Sequence, residues 1–387
     1  MYHLNVVIIG AGIGGLSTGI AFQQAGYTVK VFERTRELRP AGEGISLWSN
    51  GVKVLNRLGL GEKLAAIGGQ MDWMEYRSHT DELLNEIDLR PMIQDVGQRP
   101  YPVSRTDLQH MLLDALGPEN VELGVQCVGV EETETEAIAI LNDGRRVSAD
   151  LVIGADGVRS TVRDYVIGKT VGPRYADYVN WNGIVPMSED LPAGNSWVIY
   201  VGEGKRASMM PIGGDRFYFF FGAPLPAGMT VEPSDRREEL AQLFKGWAQP
   251  VQNLIKHLDP LATNRLEIGD LDPLDRLVRG RVALVGDSGH ATTPTLGQGG
   301  CQALEDVEIL TRYLLTTTIS VPDALQRYAA ARKDRTRDLV LKARKRTDVI
   351  YGKDPSQTDA WYQQLKQEIP SDVTDAIAKI ILTGPLG

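Results

Sequence analysis

The sequence predicts an α/β chain with a parallel-sheet domain, a second domain on an antiparallel sheet and a helical C-terminal region. Three observations carry this. Residues 5–33 read as strand, Gly-rich turn, helix and strand. From about Tyr175 the composition shifts to aromatic, β-rich runs. An apolar strand ending in Gly286-Asp287 then returns to the style of the first segment, and helical stretches follow to the C-terminus.

Asn5-Val6-Val7-Ile8-Ile9 is a short apolar run, suited to a parallel strand buried on both faces. The turn after it, Gly10-Ala11-Gly12-Ile13-Gly14-Gly15, contains G-x-G-x-x-G at Gly10, Gly12 and Gly15. Residues 16–25 follow as a helix stopped at Gly26, and residues 28–33 alternate as a strand. This is a Rossmann-like βαβ unit. Gly10 permits the tight turn, Gly12 lets backbone approach a pyrophosphate, and Gly15 lets helix and strand pack closely. The helix start offers free N–H groups to phosphate. Glu33, 18 residues beyond Gly15, can accept hydrogen bonds from ribose hydroxyls. The motif alone leaves NAD and FAD both open.

The chain has 387 residues, room for two domains or one large one. Its 42% hydrophobic and 24% charged content is that of an ordinary globular protein. A net charge of −9 argues against nucleic acid as a partner. The two cysteines, Cys127 and Cys301, form no C-x-x-C, and the five histidines show no ligand spacing, so neither a disulfide framework nor a metal site is expected. No signal peptide and no membrane span are read, and a reducing, cytoplasmic setting is expected.

Residues 34–40 read as a polar loop and residues 41–47 as a Gly-rich approach to a strand, either a plain surface loop or a segment passing beside a flat cofactor. Residues 50–58 read as a helix stopped by Gly59. Ser104 or Thr106 caps the next helix, where Arg105 is either a solvated cation or a grip on a cofactor's ribityl chain and phosphates. Residues 121–130 and 137–141 read as hairpin strands, with Asn142-Asp143-Gly144 as the turn before Arg146-Val147. Residues 150–157 form a second buried strand ending at Asp156-Gly157, a plain turn or a cofactor contact with even weight.

In the β-rich region, Gly213-Gly214-Asp215 reads as a three-residue hairpin turn. That register sets Met210 opposite Tyr218 and Ser208 opposite Phe220, so Arg206 and Tyr218 share a face. A two-residue turn would put them on opposite faces. Asp287 is placed to accept from polyol hydroxyls, and Gly297-Gln298-Gly299-Gly300 opens a helix facing an anion. His290 reads as structural and Cys301 as a small packing residue. Ser320-x-x-Asp323 is a capping box for a long helix to about Ile350, whose Arg335, Arg337, Lys342, Arg344, Lys345 and Arg346 read as a solvated face. The tail looks helical around Trp361 and again over residues 373–382.

The first glycine motif with Glu33, Asp156-Gly157 and Gly286-Asp287 together resemble the single-component flavoprotein aromatic hydroxylases. Residues 178–183, 201–206, 217–221, 297–301 and 342–346 are similar to the urate-hydroxylating branch of that family, nearly end to end. The resemblance implies non-covalent FAD held by Gly10, Gly12, Ile13, Gly14, Gly15, Glu33, Arg34, Ser46, Arg105, Val128, Asp156, Asp287, Gly297, Gln298, Gly299, Gly300 and Cys301. It implies a urate pocket of Asn180, Arg206, Tyr218 and Gln298, with Arg206 and Tyr218 acting in catalysis. It further implies NADH as a transient co-substrate, O2, and C5 hydroxylation through a flavin hydroperoxide. The expected organisation is an FAD-binding part at 1–174, a β-rich substrate domain at 175–267, the rest of the FAD-binding part and a long helix at 268–350, and a helical tail at 351–387. Hydroxylation of a phenolic acid, a flavin-binding regulator without turnover and a flavin oxidase are the alternatives.

Overall fold

The computed structural model describes residues 3–38, 43–316 and 319–386. Residues 39–42, which carry the end of the loop after Glu33 and the start of the Gly-rich approach, lie outside the described residues.

A six-stranded sheet runs in the order Val278–Arg279, Val282–Leu284, Leu151–Gly154, Asn5–Ile9, Thr28–Glu33, Val121–Leu123. All neighbours are parallel except the first pair. The apolar runs explain this, because a parallel strand is covered on both faces: Ile8, Ile153 and Ala283 are all fully buried. The chain leaves Asn5–Ile9 toward Thr28–Glu33 on one side, and Leu151–Gly154 flanks it on the other. The order reverses there, which makes the strand ends a crevice suited to a ligand. Ile9 pairs with Phe32 and Gly154, and Gly154 pairs with Leu284. Gly10, Glu33, Asp156 and Asp287 therefore emerge along one edge.

The second sheet has seven strands, in the order Asn264–Asp270, Arg174–Pro186, Arg216–Ala223, Lys205–Ile212, Ser196–Gly202, Trp73–Ser78, Leu83–Asp88. One face carries Trp181, Met209, Phe219 and Phe221, packed with Phe244 and Trp247 beneath the helices Arg236–Leu243 and Gln249–His257. By the two-residue period, Asn180, Arg206, Ser208, Tyr218 and Phe220 occupy the other face. The expected register is found: Met210 pairs with Tyr218 and Ser208 with Phe220 around the turn 213–215, so Arg206 and Tyr218 share a face.

Three expectations need correcting. Residues 121–130 are not one hairpin strand. Gly124, at φ 78°, breaks the run, so Val121–Leu123 joins the parallel sheet and only Cys127–Glu132 pairs with Ala137–Leu141. The boundary at 174/175 does not separate the two sheets, because residues 73–88 add two strands to the second, the nearer one parallel to Ser196–Gly202. Alternation alone does not name a strand's partner. The long helix Val321–Ile350, capped by Ser320 as expected, is not basic toward solvent throughout. Arg344 pairs with the buried Asp270 at 2.9 Å, and Arg335 with Glu305 at 2.6 Å.

Glu305, Asp306 and Arg332 form a charge cluster with 1% exposure or less. Arg332 reaches Glu305 at 2.7 Å and Asp306 at 2.6 Å, and His290 reaches Asp306 at 2.6 Å. The expectation that His290 is structural is met by this bond. Burial pushes both carboxyls up, but Arg335 and Arg332 around Glu305, and His290 and Arg332 around Asp306, leave both below their ordinary values. Among the described residues no helix is long and apolar enough to cross a membrane.

Arg332→Met takes one partner from each of two buried carboxylates, leaving Arg335 on Glu305 and His290 on Asp306, and is expected to cost about 3–5 kcal/mol, read by urea unfolding at neutral pH. In the native chain these carboxyls titrate lower folded than unfolded, so the unfolded chain takes up protons first. Their stabilisation is complete above the unfolded values of about 4 and is lost as pH falls below them toward the folded ones, lowering the urea midpoint.

Candidate active site

The three fingerprint glycines have three different surroundings. A Cβ on Gly10 would collide with the Ala155 carbonyl, and one on Gly15 with the Gly10 carbonyl, so both keep loop, helix and strand in contact. A Cβ on Gly12 would meet nothing within 4 Å, and there the loop is open to a ligand. Gly12 is the N-cap of the helix Ile13–Gln24, which has neither a side-chain cap nor an acidic residue in its first turn. Its leading N–H groups and positive dipole end face that opening. Gly14 packs against Val285 and Ala303, while Ile13 is buried beside Gly300.

Glu33 ends its strand beside this loop and accepts from Ala11 N and Thr35 N, each at 2.9 Å. Each carboxylate oxygen retains acceptor capacity for ribose hydroxyls. Arg34 next to it is exposed. The chain at 124–125 hydrogen-bonds along Glu33 and Thr35, and three residues on Val128 is 51% exposed, an apolar side chain left open. Asp156 uses both oxygens to hold its own turn: it accepts from the Ser160 hydroxyl, from Thr161 N at 2.8 Å and from Val162 N at 3.2 Å. Its side chain caps the following helix, Thr161–Ile167, together with Ser160.

Ser104, not Thr106, accepts the capping bond of the helix Arg105–Leu116, from Asp107 N. Arg105 pairs with Glu43 at 2.5 Å and lies close enough to Asp287 and Tyr218 to interact electrostatically with both. Asp287 is exposed in the first turn after Gly286. The ribbon of Gly44–Leu47 against Tyr101–Ser104 joins the two halves of the site. A Cβ on Gly44 would strike the Tyr218 ring, so only glycine lets the ribbon lie there, whereas Ser46 lies against Gly297. Gly297, at φ 63°, turns the chain into the helix Gly299–Leu314, whose N-terminus again lacks a side-chain cap and acidic residues. Cys301 directs its sulfur away from that helix start, against Gly51 and toward the Trp48 carbonyl, as the packing reading expects.

On the second sheet, Asn180 pairs with Gly222 and Gly222 with Arg206, which makes a row across three strands. Arg206 is 5% exposed and lies 5.1 Å above the Phe220 ring. Its Nε is buried without a partner, and among the described residues no carboxylate pairs with it. Tyr178 and Tyr351 stack at 3.8 Å. A Cβ on Gly222 would collide with the Tyr351 hydroxyl, so the glycine admits that phenol to the sheet surface between Asn180 and Arg206. Burial raises the Tyr351 phenol to about 12 while the Arg206 charge acts against it, and burial raises Tyr218 as well. Both phenols are neutral at physiological pH.

Gly10, Glu33, Asp156 and Asp287 thus lie at the ends of the parallel strands, and Asn180, Arg206 and Tyr218 lie on one face of the second sheet, with the Gly44 ribbon against Tyr218. Sequence reasoning missed Tyr178 and Tyr351 as a wall of this site, although Gly222 inside an aromatic strand marks a close approach. It also missed Asn50, which donates to Gln298 at 3.0 Å.

The family described as FAD binding domain matches residues 3–343. The FAD-dependent urate hydroxylase of Klebsiella pneumoniae subsp. pneumoniae is 47% identical over 99% of this chain and 100% of that protein. The protein of the same description from Mycolicibacterium vanbaalenii is 47% identical over 99% of this chain and 98% of its own length. The crystal structure of Klebsiella pneumoniae HpxO complexed with FAD and uric acid superposes with a TM-score of 0.96 at 46% identity, covering 99% and 98% of the two chains.

The open space at Gly12, two uncapped helix starts and the exposed Asp287 fit FAD. Gly12→Ala is expected to leave the thermal stability of the apoprotein unchanged within error and to weaken FAD binding about tenfold or more, read by flavin fluorescence titration. Gly15→Ala meets backbone instead and is expected to lower apoprotein stability.

Proposed function

As a member of the FAD binding domain family this chain is an FAD-dependent monooxygenase, and we propose that its substrate is urate, hydroxylated at C5 to 5-hydroxyisourate. Bound FAD supplies the redox chemistry: two electrons from NADH, one oxygen atom of O2 to the ring and the other to water. The observation that carries the substrate reading is Arg206, a buried guanidinium without a carboxylate partner on an aromatic face. An unpaired buried charge is strongly destabilising, so an anionic planar ligand is its natural partner. Urate is such an anion at neutral pH.

The chain's own residues supply position, charge and dryness. The fork of Arg206 matches a planar purine edge with two acceptors and favours the deprotonated, electron-rich ring. Asn182 donates to the Asn180 carbonyl oxygen at 2.8 Å, which leaves the Asn180 amide nitrogen to donate to the substrate. Tyr218, a neutral phenol beside Gly44, orients the ring from the cofactor side. The stacked Tyr178 and Tyr351 close the pocket against water. No histidine base is needed, since an anionic substrate arrives already deprotonated, and the one histidine near the Gly286 turn is bonded to Asp306. The helix starting at Gly299, with no side-chain cap and no acidic residue in its first turn, would offer its positive end to negative charge on the bound flavin. Gly10, Gly12, Gly15, Glu33, Arg105 and Asp287 would hold the cofactor in this reading, and Asp156 shapes the turn beside them.

The test is NADH oxidation by the FAD-loaded protein with and without urate, following urate loss and peroxide release. Strong stimulation with matched urate loss supports the proposal. Stimulation with peroxide and intact urate makes urate an effector only, and a phenolic acid becomes the substrate to seek. Arg206→Ala is expected to raise the urate KM roughly 10- to 100-fold, the size of a lost charge-assisted hydrogen bond. Unchanged urate turnover in that variant overturns its role.

A further inference from the structure

We propose that Gln298 is a hydrogen-bond donor of fixed polarity toward the ligand, set by Asn50 and Gln302 acting as positioning residues from the buried charge cluster. The inference deepens the urate reading and rests on it only for one of its two possible ligand edges.

The argument is one of donors and acceptors. Glu305 holds Arg332 at 2.7 Å and Arg335 at 2.6 Å, so it is an ionised carboxylate that only accepts. Asn50 lies 2.7 Å from Glu305 Oε1 and must therefore face it with its amide nitrogen. That same nitrogen lies 3.0 Å from Gln298 Oε1, and its second hydrogen is free to go there. On the other side, Arg332 Nη2 only donates, and it lies 2.8 Å from Gln302 Oε1. Gln302 must then turn its nitrogen away from Arg332, and this nitrogen lies 3.3 Å from Gln298 Oε1.

Two independent chains, one starting from a carboxylate and one from a guanidinium, thus bring N–H groups to the same oxygen. Reversing Gln298 would set its NH2 against two other NH2 groups. Its carbonyl is therefore locked toward the cluster and its nitrogen away from it. Gln298 is 3% exposed and stands at the N-cap of the Gly299–Leu314 helix, where the neighbouring backbone also presents only N–H groups. This point of the site accepts an acceptor atom, a carbonyl oxygen or deprotonated nitrogen of a planar heterocycle. It rejects a ring that turns an N–H there. Both the urate edge and the isoalloxazine edge carry such acceptors.

Two equilibrium titrations test this without turnover: apoprotein with FAD by fluorescence, and FAD-loaded protein with urate by flavin absorbance. Gln298→Glu keeps the shape but presents acceptors, and is expected to weaken one of the two affinities at least tenfold. Asn50→Ala and Gln302→Met are expected to weaken the same affinity about fivefold or more. Combined with Gln298→Ala, either is expected to add less than twofold, because it acts through Gln298. A shift in the FAD arm identifies the flavin as acceptor, and a shift in the urate arm identifies the substrate. If Asn50→Ala does not fold, Gln302→Met carries the same expectation. Gln298→Glu within twofold of native in both arms, or effects that multiply in the double variants, overturns the proposal. Native protein that binds no urate sinks the substrate reading alone, and the FAD arm then decides the role of Gln298.

Discussion

Two adjacent carboxylates, Glu305 and Asp306, are shut away from water, and the rest of the molecule is arranged around neutralising them. Burying a carboxylate without a partner is costly, and here Arg332 reaches both, Arg335 reaches one and His290 the other. Asp306 also accepts from Gly286 N at 2.8 Å, which fixes the turn that exposes Asp287. The cluster thereby ties the long helix, the helix starting at Gly299 and the end of the Val282–Leu284 strand into one unit. Through Asn50 and Gln302 the same cluster hydrogen-bonds to Gln298, ahead of the helix starting at Gly299.

The two halves of the site obey different rules. In the parallel sheet the candidate ligand groups lie on loops at strand ends, because both faces of the strands are covered. In the antiparallel sheet they lie on the strands themselves, because helices cover only one face. The open face can therefore hold Arg206, Asn180 and Tyr218 at spacings fixed by strand geometry. The ribbon through Gly44 is where the two rules meet, and there a side chain as small as a methyl group would strike Tyr218.

What was legible in the sequence were features whose cause is local. G-x-G-x-x-G between two strands, Gly-Asp at a strand end and a three-residue Gly-Gly-Asp turn each encode their own geometry, and the hairpin register alone sets Arg206 and Tyr218 on one face. What was illegible depended on partners distant in sequence. Arg332 and Arg335 lie on a helix whose composition looks solvated, and the carboxylates that claim them are 26 to 30 residues earlier. Residues 73–88 have the pattern of strands but nothing in them names the sheet they join. Tyr351 is one tyrosine past a helix end, and only the empty place at Gly222 gives it a role.

The helix Val321–Ile350 is a rod clamped at Arg332 and ending beside Tyr351. At about 1.5 Å per residue, those 19 positions span roughly 28 Å. A tilt of roughly 2° about the clamp displaces the far end by about 1 Å, enough to open or crowd a stack of rings only 3.8 Å apart. A second clamp stops that tilt: Arg344 on the buried Asp270 at 2.9 Å and Thr347 on Thr293 at 2.8 Å pin the rod close to its far end. Held at both Arg332 and Arg344, the rod is fixed in direction as well as in place, as two pins fix a shaft that one would let turn.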